Sequence, residues 1–275
     1  MHHRHMRGNT GTLGATPENA NLVPARRLSL AACGRYHQCM NWMKLLGPGL
    51  GIAALAFGLF SAGTTLAREG TAIPQILKTV PLAEQKSFTS ITREAPELAP
   101  EVLALSLRAY AEAKDRKLVS RPRLAIIDYR LPSSDKRLWI LDLTEGTVLF
   151  HDWVAHGKNS GEAFAKNFSN TPESLQTSLG LFAAGNTYRG KHGYSLRLHG
   201  LEKGINDKAF ARSIVIHGAD YVSPKFLQRL GRMGRSWGCP ALPRASSNSI
   251  IDAIKDGGAL VAFAPEWEAK SVFLP

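Results

Sequence analysis

Cys239 carries the clearest chemical potential in this chain. It lies in the segment 234–240, which reads Gly-Arg-Ser-Trp-Gly-Cys-Pro, and twenty-one residues separate it from His217. A cysteine attacks an acyl carbon as the thiolate, and a nearby imidazole can take the thiol proton and stabilise the anion. The two residues therefore predict acyl transfer, with Cys239 as the nucleophile and His217 as the general base.

The residues around this pair fit the same chemistry. Gly238 can adopt a positive φ or let the backbone come close to a substrate, so the amides of Gly238 and Cys239 could donate to a developing oxyanion. Ser236 could hydrogen-bond the imidazole, the substrate or its own turn. His217 ends the apolar run 213–216, and side-chain alternation along a strand points it away from the neighbouring isoleucines. The candidate catalytic residues are therefore Cys239, His217, Gly238 and Ser236.

Other histidines compete with His217 for the role of base. His199 follows the Leu-Arg-Leu segment 196–198 in a similar setting, which makes it the rival base. His156 opens the polar loop 156–161, which we expect to line the cleft. The remaining two histidines after residue 67 are interpreted as structural: His151 and His192.

Two alternatives to a nucleophilic role of Cys239 remain open. His199, His217 and Cys239 could together hold zinc with an open fourth position, although the chain has no His-Glu-x-x-His and no Cys-x-x-Cys spacing. Free cysteine is also among the most buried residue types, so a structural thiol is the second alternative. The position of Cys239 beside Gly238 and Ser236 favours the nucleophile, and we predict neither a metal nor a cofactor.

The isolation of Cys239 depends on an export signal. Residues 43–67 show a basic start, 22 uncharged residues and a small-residue end, which is the order of a secretory signal. Cleavage there would remove Cys33 and Cys39 and leave one thiol in an oxidising compartment. The alternative is a membrane anchor through residues 45–66, since 22 uncharged residues can cross a bilayer. Either way, we expect the domain in the periplasm or cell envelope.

The charge of the chain restricts its partners. Residues 1–67 contain six of the 34 basic residues and one of the 22 acidic ones, so the rest of the chain has a net charge of +7. A basic exported domain suits an anionic envelope polymer or membrane surface. Nucleic acid is a poor partner, because no basic run is interleaved with aromatic residues.

Hydrophobic periodicity places the candidate residues in a mainly β domain. A helix is predicted over 101–117, and short apolar runs separated by turn residues then predict strands. The strand candidates are 124–127, 138–141, 148–150, 179–182, 195–198, 213–217 and 259–263. Further helices are predicted near 208–211, 224–230 and 246–255. This spacing favours a β-sandwich or barrel with a preceding helix and a few short helices.

The predicted organisation of the chain follows from these patterns. The roughly 200 residues that follow the signal are enough for one sizeable domain with a preceding helical segment. The histidine- and arginine-rich start lacks periodicity and is interpreted as a non-native or disordered extension. The predicted parts are an extension at 1–42, a signal or anchor at 43–67, a linker at 68–97, a catalytic domain at 98–266 and a tail at 267–275.

The motifs resemble the L,D-transpeptidase catalytic domain, and most closely its divergent murein L,D-transpeptidase branch. The His-Gly pair at 217–218, followed by Ser-Trp-Gly-Cys at 236–239, is similar to the His-Gly and Ser/Thr-x-Gly-Cys motifs of that family. The resemblance extends from about residue 98 to residue 263 and includes the loop 156–161.

This resemblance implies a β-rich enzyme with the cysteine at the mouth of a cleft and peptidoglycan peptide stems as its partner. In the family, D-alanine leaves from meso-diaminopimelate, a cysteine thioester forms, and an amine acceptor resolves it; carbapenems acylate the same thiol. When these roles are carried over to this chain, the resemblance implies that Cys239 is the nucleophile and that His217 acts first as the base and then as the acid. It also implies that the amides of Gly238 and Cys239 form the oxyanion hole. The alternatives are an L,D-carboxypeptidase or endopeptidase that uses water, and a catalytically silent wall-binding module.

The chain departs from the family pattern beside the nucleophile. Many members have a second histidine where this chain has Trp237, and an arginine or asparagine where it has Ala241. Substrate contacts must then come from other side chains. The candidates are Trp237, Arg235, Arg244, Tyr221, His199 and His156.

Overall fold

A computed structural model describes residues 73–274, so the predicted extension and signal lie outside the described residues. The strands are β1 (Arg123–Asp128), β2 (Leu138–Asp142), β3 (Thr147–Asp152), β4 (Gly180–Gly190), β5 (Gly193–Gly200), β6 (Val215–Ala219), β7 (Ala241–Pro243) and β8 (Ala259–Phe263). The helices are α1 (Gln85–Glu94), α2 (Pro100–Asp115), α3 (Pro224–Leu230), α4 (Arg244–Ile254) and α5 (Pro265–Glu268). Within the described part, none of the helices combines the length and apolar character needed to cross a bilayer.

The eight strands form one sheet that curls into a nearly closed mixed barrel. Its order is β3-β2-β1-β8-β4-β5-β6-β7. The two end strands approach each other where the N–H of Ala155 donates to the carbonyl of Ala241 at 2.9 Å, and a second bridge joins Gly157 to Ser236. This seam brings the loop after β3 against the segment that carries Cys239. The predicted mainly β, barrel-like fold is confirmed.

The barrel interior and the helices share one hydrophobic core. Leu124 and Ile126 on β1 are fully buried, as are Leu103 and Leu107, which lie four residues apart on one face of α2. Burying each such side chain contributes about 1.5–3 kcal/mol. Pro100 begins α2 at a position where the missing N–H costs nothing. The predicted helix 101–117 is confirmed to within two residues at each end.

Most of the predicted strands and helices are confirmed, with three differences. β4 extends to Gly190, well beyond the predicted end at Phe182, through a polar stretch without alternation. β7 was not predicted, because it has only three residues, follows Pro240 and itself ends in a proline. The segment predicted as helical near 208–211 forms turns instead.

Part of the predicted linker 68–97 is helical in the structure. Residues Gln85–Glu94 form α1, and its Phe88 and Ile91 are fully buried in the core. These two residues lie three apart, so they share one face of the helix. The polar residues around them hid this apolar stripe, and the domain therefore begins before residue 98.

The predicted tail 267–275 is also part of the folded domain in its described residues. Trp267 and Phe273 are each 1% exposed and pack in the core. The buried carboxylate of Glu202 accepts hydrogen bonds from the indole N–H of Trp267 at 2.7 Å and from the hydroxyl of Ser271 at 2.6 Å. Glu202 thus fixes the C-terminal segment to the barrel.

Candidate active site

Cys239 lies half-buried on a tight turn between α3 and β7, at the seam of the barrel. Its thiol donates to the carbonyl of Ser213 at a sulfur–oxygen distance of 3.6 Å. Ser213 has a φ of 56°, a left-handed conformation that a non-glycine residue keeps only where the surrounding structure holds it. The backbone just before β6 is therefore shaped to hold the thiol.

Ser236 and Gly238 form the turn that presents Cys239. The hydroxyl of Ser236 donates to the carbonyl of Cys239 at 2.6 Å and accepts from the amide of Gly238 at 3.1 Å. Gly238 has a φ of +123°, and a Cβ atom there would lie 2.9 Å from the carbonyl oxygen of Gln176. Ser236 thus stabilises its own turn. The Gly238 amide, one of the two expected oxyanion donors, is thus engaged with Ser236 in this structure.

Burial, the largest effect, raises the pKa of the Cys239 thiol above its ordinary value. The backbone amide of Val215, the charges on Arg212 and Lys191, and the amide of Cys239 itself favour the thiolate but do not outweigh burial. At neutral pH the side chain of Cys239 is therefore a protonated thiol.

His217 lies on β6 and is 3% exposed. Its Nδ1 is 3.1 Å from the carbonyl oxygen of Gly218, so we assign the proton to Nδ1 and the lone pair to Nε2. Burial is the main cause that lowers the pKa of His217 below its ordinary value; the charges on His192 and Arg244 act in the same direction, against the Gly218 carbonyl. At neutral pH the ring is therefore neutral and can accept a proton.

The nucleophile and the base lie on neighbouring segments of the sheet. The parallel register of β6 and β7 sets His217 opposite Ala241, two residues beyond Cys239. Among residues 73–274, the sulfur bonds to the carbonyl of Ser213 and has no hydrogen bond to the imidazole. Catalytic pairs are often loosely spaced in a free enzyme and tighten when the substrate binds. The thiol must therefore leave this carbonyl to reach the base.

Two of the predicted histidines have other partners. His199 is exposed on β5 and stacks on Phe210, with ring centroids 5.1 Å apart. His156 is fully buried: Arg137 donates to its Nδ1 at 2.8 Å, and its Nε2 donates to the carbonyl of Gly161 at 3.3 Å. Burial lowers the pKa of His156 to about 4. This corrects the expected substrate contact, because the ring shapes its loop and is closed off from solvent.

The two candidate arginines are engaged with carboxylates of the protein. Arg235 donates to the carbonyl of Gly161 at 3.0 Å and to Glu162 at 2.7 Å, so it braces the loop after β3. Arg244 pairs with Asp220 at 2.5 Å, and both side chains are more than half exposed. An exposed pair of this kind contributes little stability, so Arg244 can exchange its partner for another carboxylate.

Trp237 forms an exposed wall beside the nucleophile. Its side chain is 68% exposed, and its ring centroid lies 5.5 Å from the Nζ of Lys191 and 5.9 Å from that of Lys158. Neither lysine has an ion pair within the described residues. Tyr221 is half-buried nearby; burial, and then the charge of Cys239, raise its pKa. The structure thus brings Trp237 and Tyr221 to the site, together with two lysines that were not predicted.

His192, interpreted from the sequence as a structural histidine, lies against His217. Its ring stacks on that of His217, with centroids 4.4 Å apart and planes inclined by 26°. His151, by contrast, stacks on Trp139 within the β2–β3 pair, with centroids 4.8 Å apart. The two histidines are alike in sequence, and only the fold separates them.

Arg212 is a further residue of the site that the sequence did not indicate. Its guanidinium donates to the carbonyls of Ser169 at 2.6 Å and Gln176 at 2.7 Å, and to two hydroxyls of the same segment, 169–178. Its charge lowers the pKa of Cys239 in opposition to burial. The partners lie 34 to 43 residues earlier in the chain, so no local pattern predicts these contacts.

Replacing Arg212 with methionine should lower the free energy of unfolding by about 1–2 kcal/mol, because partly buried carbonyls lose their charged donors. Urea unfolding followed by circular dichroism measures this loss. Arg189→Met, which changes an exposed arginine of β4, is the matched control and should stay within about 0.5 kcal/mol of the wild type. Equal losses in the two variants would contradict the bracing role of Arg212.

The ligand set considered for zinc does not assemble. Within residues 73–274, no group of three or more His, Cys, Asp or Glu side chains is arranged to hold a metal ion. His199 stacks on Phe210, whereas His217 stacks on His192.

Three solved structures illustrate what this chain is similar to. An L,D-transpeptidase from Mycobacterium smegmatis shares 15% identity over 52% of this chain and 59% of its own, with a TM-score of 0.32. An L,D-transpeptidase from Xylanimonas cellulosilytica shares 18% identity over 52% of this chain and 61% of its own, with a TM-score of 0.31. The helical cell shape determining protein Pgp2 from Campylobacter jejuni shares 13% identity over 62% of this chain and 60% of its own, with a TM-score of 0.35. This chain thus spans less than two thirds of the length of each.

A comparison with curated proteins finds no match. The family model of the L,D-transpeptidase catalytic domain matches residues 94–263, which is more than half of the chain. The match begins at the last residue of α1, ends at the last residue of β8 and includes both Cys239 and His217. The chain therefore belongs to the L,D-transpeptidase catalytic domain family.

Proposed function

We propose that this protein is an L,D-transpeptidase that acts on peptidoglycan peptide stems in the cell envelope. The observation that carries the proposal is a thiol held on the carbonyl of Ser213, beside the strand that bears a buried, neutral His217. A protonated thiol and a neutral imidazole suit activation by a general base. The action of the family on peptidoglycan stems supports this class of substrate.

The first half-reaction would form a thioester on Cys239. The Sγ atom attacks the carbonyl carbon at the L-centre of diaminopimelate while Nε2 of His217 takes the thiol proton. The carbonyl oxygen becomes an oxyanion, which the amide of Cys239 can stabilise. As the C–N bond breaks, His217 returns its proton to the departing amine of D-alanine.

The second half-reaction would transfer the acyl group to an amine. The acceptor amine attacks the thioester carbonyl and gives a proton to His217. The C–S bond then breaks, the proton passes to the sulfur, and a new amide and the free thiol of Cys239 result. Water in place of the amine would instead release a tripeptide.

Trp237 and the two lysines beside its ring, Lys158 and Lys191, support a stem peptide as the substrate. The stem and the D-alanine leaving group carry carboxylates, and Lys158 and Lys191 are cations without an ion pair among the described residues. The indole offers an apolar surface at the mouth of the site. A wall of this kind can orient an acceptor amine, and orientation can supply roughly 7–11 kcal/mol of the activation barrier.

Incubation with purified tetrapeptide stems should yield a diaminopimelate–diaminopimelate cross-link, or exchange of the terminal D-alanine for an added D-amino acid. Trp237→Ala should shift the products towards free tripeptide, because water then competes better with the acceptor. Liquid chromatography with mass spectrometry quantifies the ratio of cross-link to tripeptide.

Phe226→Ala is the control for this experiment, since Phe226 is an aromatic residue under a cation, Arg229, on α3. Its product ratio should equal that of the wild type. Tripeptide as the sole product of the wild-type enzyme, with abundant acceptor, would reassign the protein as an L,D-carboxypeptidase. Absence of every product would favour a silent wall-binding module.

A further inference from the structure

The turn between β4 and β5 places an imidazole directly on the proposed base. Gly190 pairs with Gly193 across the hairpin, so the turn consists of Lys191 and His192 alone. Gly193 has a φ of +80°, a value that favours glycine and allows so short a turn. His192 therefore lies at the tip of a tight two-residue turn, where the pairing of Gly190 with Gly193 sets its place.

The register of the sheet explains why this tip reaches His217. β5 pairs antiparallel with β6, and Ser195 lies opposite His217. His192 precedes Ser195 by three residues, so the turn lies just past the end of β6. The rings of His192 and His217 then stack with centroids 4.4 Å apart. The contact joins two elements that nothing in the local sequence connects.

The two rings of this pair differ in their surroundings. His217 is 3% exposed, whereas His192 is exposed, so His192 covers the side of the pair that faces solvent. Nδ1 of His217 bonds to the carbonyl of Gly218, and within residues 73–274 neither ring nitrogen of His192 has a hydrogen bond. An exposed imidazole without hydrogen bonds, stacked on a buried one, contributes little to the fold beyond this contact.

We propose that His192 is a positioning residue for His217: its ring covers the face of the base, fixes the orientation of the imidazole and shields it from water. The proposal rests on the proposed function, in which His217 accepts the proton of Cys239. The groups that face the pair are Lys191 on the same turn and Arg244 at the start of α4, and both act against its protonation. Burial acts in the same direction on both rings.

The test compares His192→Ala, which removes the cover, with His192→Phe, which keeps a ring and removes the charge. The first readout is the pKa of His217, measured by proton NMR titration of its ring in the full chain and assigned with His217→Gln. In His192→Ala we expect this pKa to rise towards the ordinary value of about 6.5. In His192→Phe it should stay below that value, because burial is the main cause of the depression.

The second readout is the rate at which a carbapenem acylates Cys239 as a function of pH. We expect His192→Ala to slow acylation by roughly 10- to 100-fold, since a small displacement of a catalytic group has effects of this size. The acid limb of this variant, which is the fall of the acylation rate at low pH, should move to higher pH. The reason is that a larger fraction of His217 is protonated at each pH. His192→Phe should recover most of the rate. His151→Ala, which removes a stacked histidine from β3, should leave the limb in place.

The outcomes separate this proposal from the proposed function. An unchanged His217 titration in His192→Ala, with circular dichroism equal to wild type, would overturn the positioning role, whatever the activity. His192→Phe behaving like His192→Ala would also overturn it, because cover by the ring would then not matter. If no acyl adduct forms in the wild type but the titration shifts as expected, the positioning role stands and the proposed function fails.

Discussion

Cys239→Ala is expected to abolish the formation of both thioester and product, with no loss of folded structure. Without the sulfur no acyl-enzyme can form, and His217 alone has no nucleophile to activate. The thiol makes one weak hydrogen bond, to Ser213, so alanine costs little stability. Intact-mass spectrometry after incubation with a carbapenem measures the adduct, and chromatography of stem peptides measures turnover.

The control for this experiment is the double variant Cys33→Ala, Cys39→Ala, which leaves Cys239 as the single thiol of the full chain. It should retain the adduct and the turnover of the wild type. Circular dichroism of Cys239→Ala should match the wild type. Turnover surviving in Cys239→Ala would refute the thioester mechanism and the assignment of the site.

His217→Gln should slow acylation of Cys239 by roughly 10²- to 10⁴-fold, the usual contribution of a general base. Glutamine keeps a similar length and can hydrogen-bond, but it cannot accept the thiol proton. Burial lowers the pKa of His217. The wild-type rate should therefore be constant above about pH 6.5 and fall as the pH drops through the lower, folded-state value. That acid limb should be absent in His217→Gln.

His199→Gln is the matched control, because His199 is exposed on β5 and stacks on Phe210. Its acylation rate and its acid limb should equal those of the wild type. Stopped-flow measurement with a chromogenic carbapenem between pH 4 and pH 8 gives both quantities. If His199→Gln removed the limb instead, the role of base would pass to His199.

Cys239 and His217 could be singled out because their signals are local. Cys239 follows Ser236 and Gly238 within one turn, and His217 ends an apolar run. These short segments form the same turn and strand in the structure. Residue type and near neighbours were therefore sufficient to single out the central pair.

The residues around the pair could not be predicted, because their positions depend on long-range pairing. His192 reaches His217 through the register of two strands, and Arg212 bonds to a segment that lies at least 34 residues earlier. Both were unremarkable in sequence. The opposite case is His156, whose polar loop suggested a cleft residue; Arg137, nineteen residues away, turns the ring into a buried support.

The helix α1 was not predicted for a different reason. α1 buries only a narrow apolar stripe, including Phe88 and Ile91, while polar residues occupy the rest of the helix. A stripe of two or three residues is easily read as a linker. The helix is stabilised by packing on the barrel, which sequence periodicity over ten residues shows only weakly.

The place of β8 in the sheet has a consequence for how the protein folds. β8 is the last strand in the chain, yet it lies between β1 and β4 and joins β1–β3 to β4–β7. Until residues 259–263 are in place, no strand lies between these two parts of the sheet. The contacts Gly157–Ser236 and Ala155–Ala241 join those same two parts at the other side. A strand without a single reactive residue thus completes the sheet, and such non-local pairing makes folding slow.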